Sequence, residues 1–180
     1  MKDRANKTAA RFVAIDFETA DYGSDSACAV AIVTVDSGAI TDRFYQLVRP
    51  PRRTFVFSYL HGIEWKHVQH QPSFAEAWPL IEQHLKRGRF VAAHNARFDE
   101  GVLHACCAAA GLGRPPYRFL CTVQLAREVW SIRPTRLPDV CRHLSIPLHH
   151  HQAESDAEAC AHIVMAAMRQ GHVPGFRHGR

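Results

Sequence analysis

The stretch "ACAVAIVTVDSGAITDRFYQLVRP", residues 27–50, carries two runs rich in Val, Ile, Thr and Tyr on either side of "DSGA". β-branched and aromatic residues suit the pleated surface of a sheet, and a short Ser-Gly link between two such runs is a hairpin signal. The reading predicts strands over 28–35 and 40–48 joined by a tight turn. Just before it, "RFVAID" (11–16) reads as a short buried strand. The chain therefore opens with three strands in an antiparallel meander.

Working outward, residues 50–72 form an irregular stretch bounded by Pro51 and Pro72. "SFAEAWPLIEQHLKRG" then opens on Ser73 with Glu76 three residues later, a capping-box signature, and closes on basic residues and Gly88. "RFVAAH" (89–94) reads as a buried strand, and "NARFDEGVLHACCAAAG" as a helix capped by Asn95 and ended by Gly111. "YRFLCT" is a further strand, followed by a helix through Trp130. "TRLPDVCRHLSI" is a short helix and "AESDAEACAHIVMAAMRQG" a long final one. A meander followed by alternating strands and helices predicts one α/β domain, a mixed sheet with helices on its faces. We expect this domain to span 11–170, with a basic arm over 1–10 and a tail over 171–180.

The 180 residues include 47% hydrophobic and 22% charged residues, ordinary for a globular domain. No apolar run reaches the roughly 18–20 residues that cross a bilayer, and the N-terminal apolar run is cut short by Asp16 and Glu18, so the expected location is cytoplasmic. The six cysteines form no C-x-x-C pair and read as small buried thiols. The net charge of +5 sits in the termini. Between Phe12 and Phe176 there are sixteen bases and sixteen acids. Bulk charge alone therefore says little about nucleic acid.

Three groups of residues carry chemistry. Asp16 and Glu18 in "AIDFETA" are two apart on a strand, so both carboxylates project from one face while Phe17 takes the other. Two such acids repel unless a cation lies between them, and hard oxygen ligands suit Mg²⁺ or Mn²⁺. In "HNARFDE", Asp99 lies four residues past Asn95, either on a shared helical face or as a surface acid in a first turn. In "LHHHQAESDAEA" (148–159), His151 precedes Asp156 by five residues, about 140° apart on a continuous helix. Convergence of the two therefore requires His151 on the loop before the helix. His149 and His150 are expected to be solvated.

Taken together, "DFET" (16–19), "HNARFD" (94–99) and "HQAESDA" (151–157) resemble the motifs of the DEDD superfamily of 3′–5′ exonucleases, in the histidine-bearing DEDDh branch that includes the DnaQ-like epsilon subunits. "LHGI" (60–63) resembles the segment lining the terminal-nucleotide pocket in that group. The resemblance implies a ribonuclease-H-like mixed sheet. It implies that Asp16, Glu18, Asp99 and Asp156 hold two divalent cations, Mg²⁺ or Mn²⁺, and that His151 is the general base. It also places Glu18 and Thr19 near the terminal 3′-hydroxyl, and His61, Asn95 and Phe98 where they would hold or wedge the last bases. In-line attack on a phosphodiester ringed by negative oxygens fits such a set, and a histidine suits proton removal near neutral pH.

The expected substrate is the 3′ end of single-stranded DNA, favoured over RNA, with release of nucleoside 5′-monophosphates. An exoribonuclease, a non-catalytic nucleic-acid-binding module and a metal-sequestering protein are the alternatives. The first motif continues "DFETAD", where many epsilon-like sequences have a second Thr and a Gly, so the approach of the 3′ end is expected to differ. Neither a polymerase-tethering tail nor a clamp-binding peptide is visible, and a stand-alone enzyme is expected. Arg52, Arg53, Arg97 and Arg114 are candidates to meet phosphates. Phe55, Phe57, Tyr59 and Trp65 either stack bases or form core under the long loop.

Overall fold

A computed structural model describes residues 11–172; the expected arm (1–10) and most of the expected tail (173–180) lie outside the described residues. Strands β1 (Phe12–Thr19), β2 (Ala27–Asp36) and β3 (Ala39–Leu47) form the meander, and β4 (Val91–Ala93) and β5 (Phe119–Cys121) complete a five-stranded sheet in the order β3-β2-β1-β4-β5. β1 runs antiparallel to β2 and parallel to β4, which is parallel to β5. The hairpin turn works because Ser37 (φ 53°) and Gly38 (φ 79°) both take the left-handed conformation that a two-residue type I′ turn demands. A single-domain mixed sheet flanked by helices is what the order of elements predicts.

The alternation of β1 sorts its side chains onto two cores. Val13, Ile15 and Phe17 face α3 (Phe74–Leu85) and α4 (Arg97–Ala109), in a cluster with Ile81, Leu85, Val102 and Leu103. Phe12 and Ala14 face α7 (Ala153–Arg169), joined by Ala31, Val33, Ile163 and Val164. Helices α5 (Thr122–Trp130) and α6 (Leu137–Leu144) support α7 from the side. The inward stripe of α7 is largely small residues, with Ala157, Cys160, Ala161 and Ala167 fully buried, so the helix lies close on the sheet. With both faces covered, β2 is buried along nearly its whole length. The edge strand β3 keeps alternating exposure. Among the described residues no helix is long and apolar enough to cross a membrane.

Two expectations change. Residues 50–72 are not wholly irregular: they contain the one-turn helices α1 (Ser58–His61) and α2 (Trp65–Val68), too short for periodicity to reveal. Asn95 does not cap α4. It takes φ 62° one residue earlier, Ala96 is the N-cap, and no side chain caps that end. The Ser73–Glu76 capping box on α3 is present as expected.

Where β1 starts, the chain passes Gly88 so closely that a Cβ there would lie 2.7 Å from the Val13 nitrogen and 2.8 Å from the Phe90 oxygen. These are backbone atoms of paired strands and cannot move aside cheaply. Gly88→Ala is expected to cost about 1–3 kcal/mol, as overpacking does, and to lower the midpoint of thermal unfolding by several degrees. An unchanged midpoint would show that the β1–β4 edge has room to spread.

Candidate active site

The side-chain alternation that gives β1 its two cores also aims its acids. Asp16 and Glu18 continue the Phe12–Ala14 face and so point toward α7, where Asp156 occupies the first turn. At Glu18 the β1–β2 register breaks, Glu18 pairing with Ala29 and Thr19 with Ala27, so that Cys28 is an extra residue in β2. Such a bulge bends the strand end and re-aims its side chains. The fourth acid, Asp99, comes from the first turn of α4. It is not the surface acid of one sequence reading. Only 1% exposed, it accepts the Phe17 backbone N–H at 3.1 Å.

Burial of these groups costs their charged forms water contact, and their mutual repulsion adds to that. Burial first, then Asp99, Glu18 and Asp156, pushes the Asp16 carboxyl well above the usual range. Glu18 is raised to about 7 by burial and by Asp156. Asp99 is raised to about 8, mainly by burial and in spite of the Phe17 hydrogen bond. Burial also raises Asp156. Its Oδ1 is buried with no hydrogen-bond partner, a buried acceptor left without compensation. Crowded carboxyl oxygens, one of them orphaned, are the chemistry that a hard divalent cation relieves.

His151 lies in the turn before α7, as convergence requires, at φ 65°. Its backbone N–H donates to Asp156 Oδ2 at 3.2 Å, and its ring stacks on His150 with centroids 3.9 Å apart. Burial and the neighbouring His150 keep His151 below the usual histidine value, against the pull of Asp156. The expectation for His150 is corrected in one respect. It is exposed as expected, but not unrelated to an acid: its Nδ1 lies 2.8 Å from Asp156 Oδ2. The left-handed turn at His151 folds the loop back, and neither helical nor strand periodicity could disclose that contact. His149 stays exposed, its N–H bonded to Ser155 Oγ.

Asp16, Glu18, Thr19, His61, Phe98, His151 and Asp156 line one cavity of about 290 Å³, together with Phe17, Phe57, Leu60 and His150. His61 is tied into its wall. Its Nδ1 accepts the Ile63 N–H at 3.0 Å, which leaves Nε2 to donate to the Thr19 carbonyl at 3.1 Å. Asn95 is not in this cavity. It lines an adjoining groove that shares Asp16, His150 and Asp156. His94, beside it, is a fastening. Its Nε2 donates to the Thr135 carbonyl at 3.0 Å and its Nδ1 lies 2.8 Å from Thr122 Oγ1, and burial lowers it to about 4.

Of the arginines read as either phosphate contacts or solvated surface, Arg52 is already engaged by Asp21 and Asp25, at 2.8 and 2.6 Å, and holds both carboxyls below the usual range. Arg53 lies over the Trp65 ring. Phe55 and Trp65 pack against a small core with Ile63 and Val68, whereas Tyr59 is 77% exposed. Leu60, within "LHGI", lines the cavity as the resemblance of that segment implies, and Phe57, one of the aromatics read as either base-stacking or core, lines it as well.

A family profile for RNase_T, described as Exonuclease, matches residues 13–164. The chain is 30% identical over 181 residues to the 3′-5′ exonuclease DinG of Bacillus subtilis, covering 94% of this chain and 19% of that protein. It is 33% identical over 159 residues to a PolC-type DNA polymerase III of Halalkalibacterium halodurans, covering 85% of this chain and 11% of that one. It thus spans less than a fifth of the length of either relative. Among solved structures, Exonuclease X in complex with 5′ overhanging duplex DNA aligns with a TM-score of 0.74 at 25% identity, over 91% of this chain and 95% of the other. The nuclease domain of 3′hExo, a DEDDh family member bound to rAMP, aligns at 0.82 and 17% identity over 96% and 98%, a likeness of fold.

The raised carboxyls make the cation-free fold sensitive to alkali. A group whose folded pKa lies above its unfolded one keeps a proton that the unfolded chain has released, so stability falls as pH rises toward the folded value. The lowered histidines act in the opposite sense, but below their unfolded value of about 6.5. In EDTA, the unfolding midpoint is expected to fall between about pH 7 and pH 8.5, through the values of Glu18 and Asp99. Asp99→Asn, which keeps the acceptor for Phe17, should flatten that decline. A wild-type midpoint flat across this window would refute the shifts.

Proposed function

Because the chain belongs to the RNase_T exonuclease family, of the DEDDh type, we propose that it removes nucleotides one at a time from the 3′ end of single-stranded DNA, releasing nucleoside 5′-monophosphates. One observation carries the reading: four carboxyl groups from β1, α4 and α7 converge beside His151 at a cavity of about 290 Å³. The choice of DNA over RNA is supported by the relatives at 30–33% identity, named as an exonuclease and as DNA polymerases. No polymerase partner is proposed.

Asp16, Glu18, Asp99 and Asp156 would hold two divalent cations, Mg²⁺ or Mn²⁺, as their crowded oxygens and the orphaned Asp156 Oδ1 fit. Bound there, the ions supply charge neutralisation at the phosphate and a more acidic water. The remaining work falls to side chains. The terminal nucleotide enters the 290 Å³ cavity, its base against Phe57, Leu60 and Phe98 and its sugar toward Glu18 and Thr19. His151, facing the cavity, takes the proton of the attacking water as the new P–O bond forms. The P–O3′ bond to the retained strand breaks, its 3′-oxygen is protonated from solvent, and His151 releases its proton to solvent in turn. His150 holds Asp156 in place through its Nδ1, so its role is positioning.

The test is shortening of 5′-labelled single-stranded DNA and matched RNA with Mg²⁺, Mn²⁺ or EDTA. Wild-type protein is expected to produce a ladder from the 3′ end only with metal, faster on DNA. His151→Ala should lose about 10²–10⁴-fold in kcat, the usual contribution of a general base, while still gaining thermal stability from Mn²⁺. Asp16→Asn should lose activity and that gain together, and His149→Ala should stay within about twofold of wild type. Binding without shortening of either strand would overturn the enzymatic reading. Faster cleavage of RNA would transfer it to exoribonuclease activity.

A further inference from the structure

The terminal cavity has a larger neighbour. A groove of about 650 Å³ shares Asp16, His150 and Asp156 with it and extends past His94 and Asn95 to Arg127, Arg133, Pro134, Thr135 and Arg136. The two differ in chemistry. The smaller holds Phe17, Phe57, Leu60 and Phe98, whereas the larger has three guanidinium groups on its far side. Arg136 is neutralised by Asp139, at 2.7 Å. Among the described residues, Arg127 and Arg133 have no carboxylate partner. Arg127 is nonetheless held in position: its Nε donates to Thr135 Oγ1 at 2.9 Å, Thr135 Oγ1 donates to the Ile132 carbonyl at 3.1 Å, and the Thr135 carbonyl accepts from His94. One edge of the guanidinium is thus fixed, and its terminal nitrogens remain available.

An exonuclease places the scissile phosphate between the nucleotide it releases and the strand it retains. Here the wall common to both spaces is made of Asp16, Asp156 and His150, so the large groove offers a path away from the acids to a strand whose last nucleotide fills the small cavity. We propose that Arg127 and Arg133 bind the phosphates of the retained strand, one or two nucleotides on the 5′ side of the scissile bond, and so determine how much strand the protein needs for efficient cleavage. This rests on the exonuclease reading above. Two arginines without carboxylate partners, one of them tethered by its Nε, suit phosphate oxygens, which take paired N–H donors from a planar guanidinium. They also offset the acids: a polyanion approaching Asp16 and Asp156 meets positive charge first.

The experiment compares two substrates with and without a retained strand. The p-nitrophenyl ester of thymidine 5′-monophosphate offers only the terminal nucleotide; oligothymidylates of two to eight residues add phosphates one by one. For wild-type protein with Mn²⁺, kcat/KM is expected to rise about tenfold or more from the ester to the tetranucleotide and then level off. Arg127→Ala/Arg133→Ala should lose at least fivefold more on the tetranucleotide than on the ester, chiefly through KM. The dependence of log(1/KM) on log salt should become shallower by about 0.7 per phosphate contact removed. Arg127→Lys/Arg133→Lys should recover part of the loss. Equal losses on ester and tetranucleotide, or none on either, overturn the groove assignment while leaving the exonuclease reading intact. Wild-type protein inactive on every substrate overturns that reading instead.

Discussion

Four carboxyl groups that repel one another are held together by packing that has no other way to close. Asp16 and Glu18 cannot turn away, because the alternation that aims them at α7 also buries Val13, Ile15 and Phe17 on the opposite face. Asp156 cannot retreat, because the small residues of α7 set that helix close against Ala14, Ala31 and Val33. Asp99 is pinned by the backbone N–H of Phe17, between the two acids of β1. Two hydrophobic cores therefore press their electrostatic cost into one place. The raised carboxyls record that cost.

The same constraint shapes what surrounds the acids. The loop before α7 turns through a left-handed His151, which delivers one ring to the cavity and lets the preceding ring reach Asp156. The two imidazoles stack on each other and both line the cavity, and the His150 ring also reaches Asp156. On the other side, His94 at the end of β4 fastens the segment around Thr135, which lines the groove that shares Asp16 and Asp156 with the cavity.

Much of this was legible in the sequence, and what was not has physical reasons. Runs of β-branched and apolar residues around the DSGA turn announced β1 to β3, and the capping box announced α3, because those signals are local. The set of four acids came from the resemblance to the DEDDh motifs. That Asp16 and Glu18 share a face was readable from spacing, since i and i+2 on a strand admit one outcome. The burial of Asp99 was not, because a first-turn acid looks the same whether its neighbours are water or the backbone of another strand. His150 was misjudged because its contact depends on a backbone conformation that histidine takes infrequently. Arg127 and Arg133 carried no signal: their role depends on the absence of partners, a property of three-dimensional neighbourhood.

The segment that closes the terminal cavity is attached mainly through its main chain. The Ala20 carbonyl accepts the N–H groups of Val56 and Phe57, and the Thr19 carbonyl accepts from His61. Arg52 adds an external clamp to Asp21 and Asp25. Because the Val56 and Phe57 links are blind to side-chain identity, residues such as Phe57 and Tyr59 can be exchanged while the wall itself keeps its place. On the proposed exonuclease reading, the acids carry the chemistry and tolerate little change. The wall opposite them is a mutable surface, on which selection can retune preference among nucleobases or sugars without rebuilding the catalytic frame.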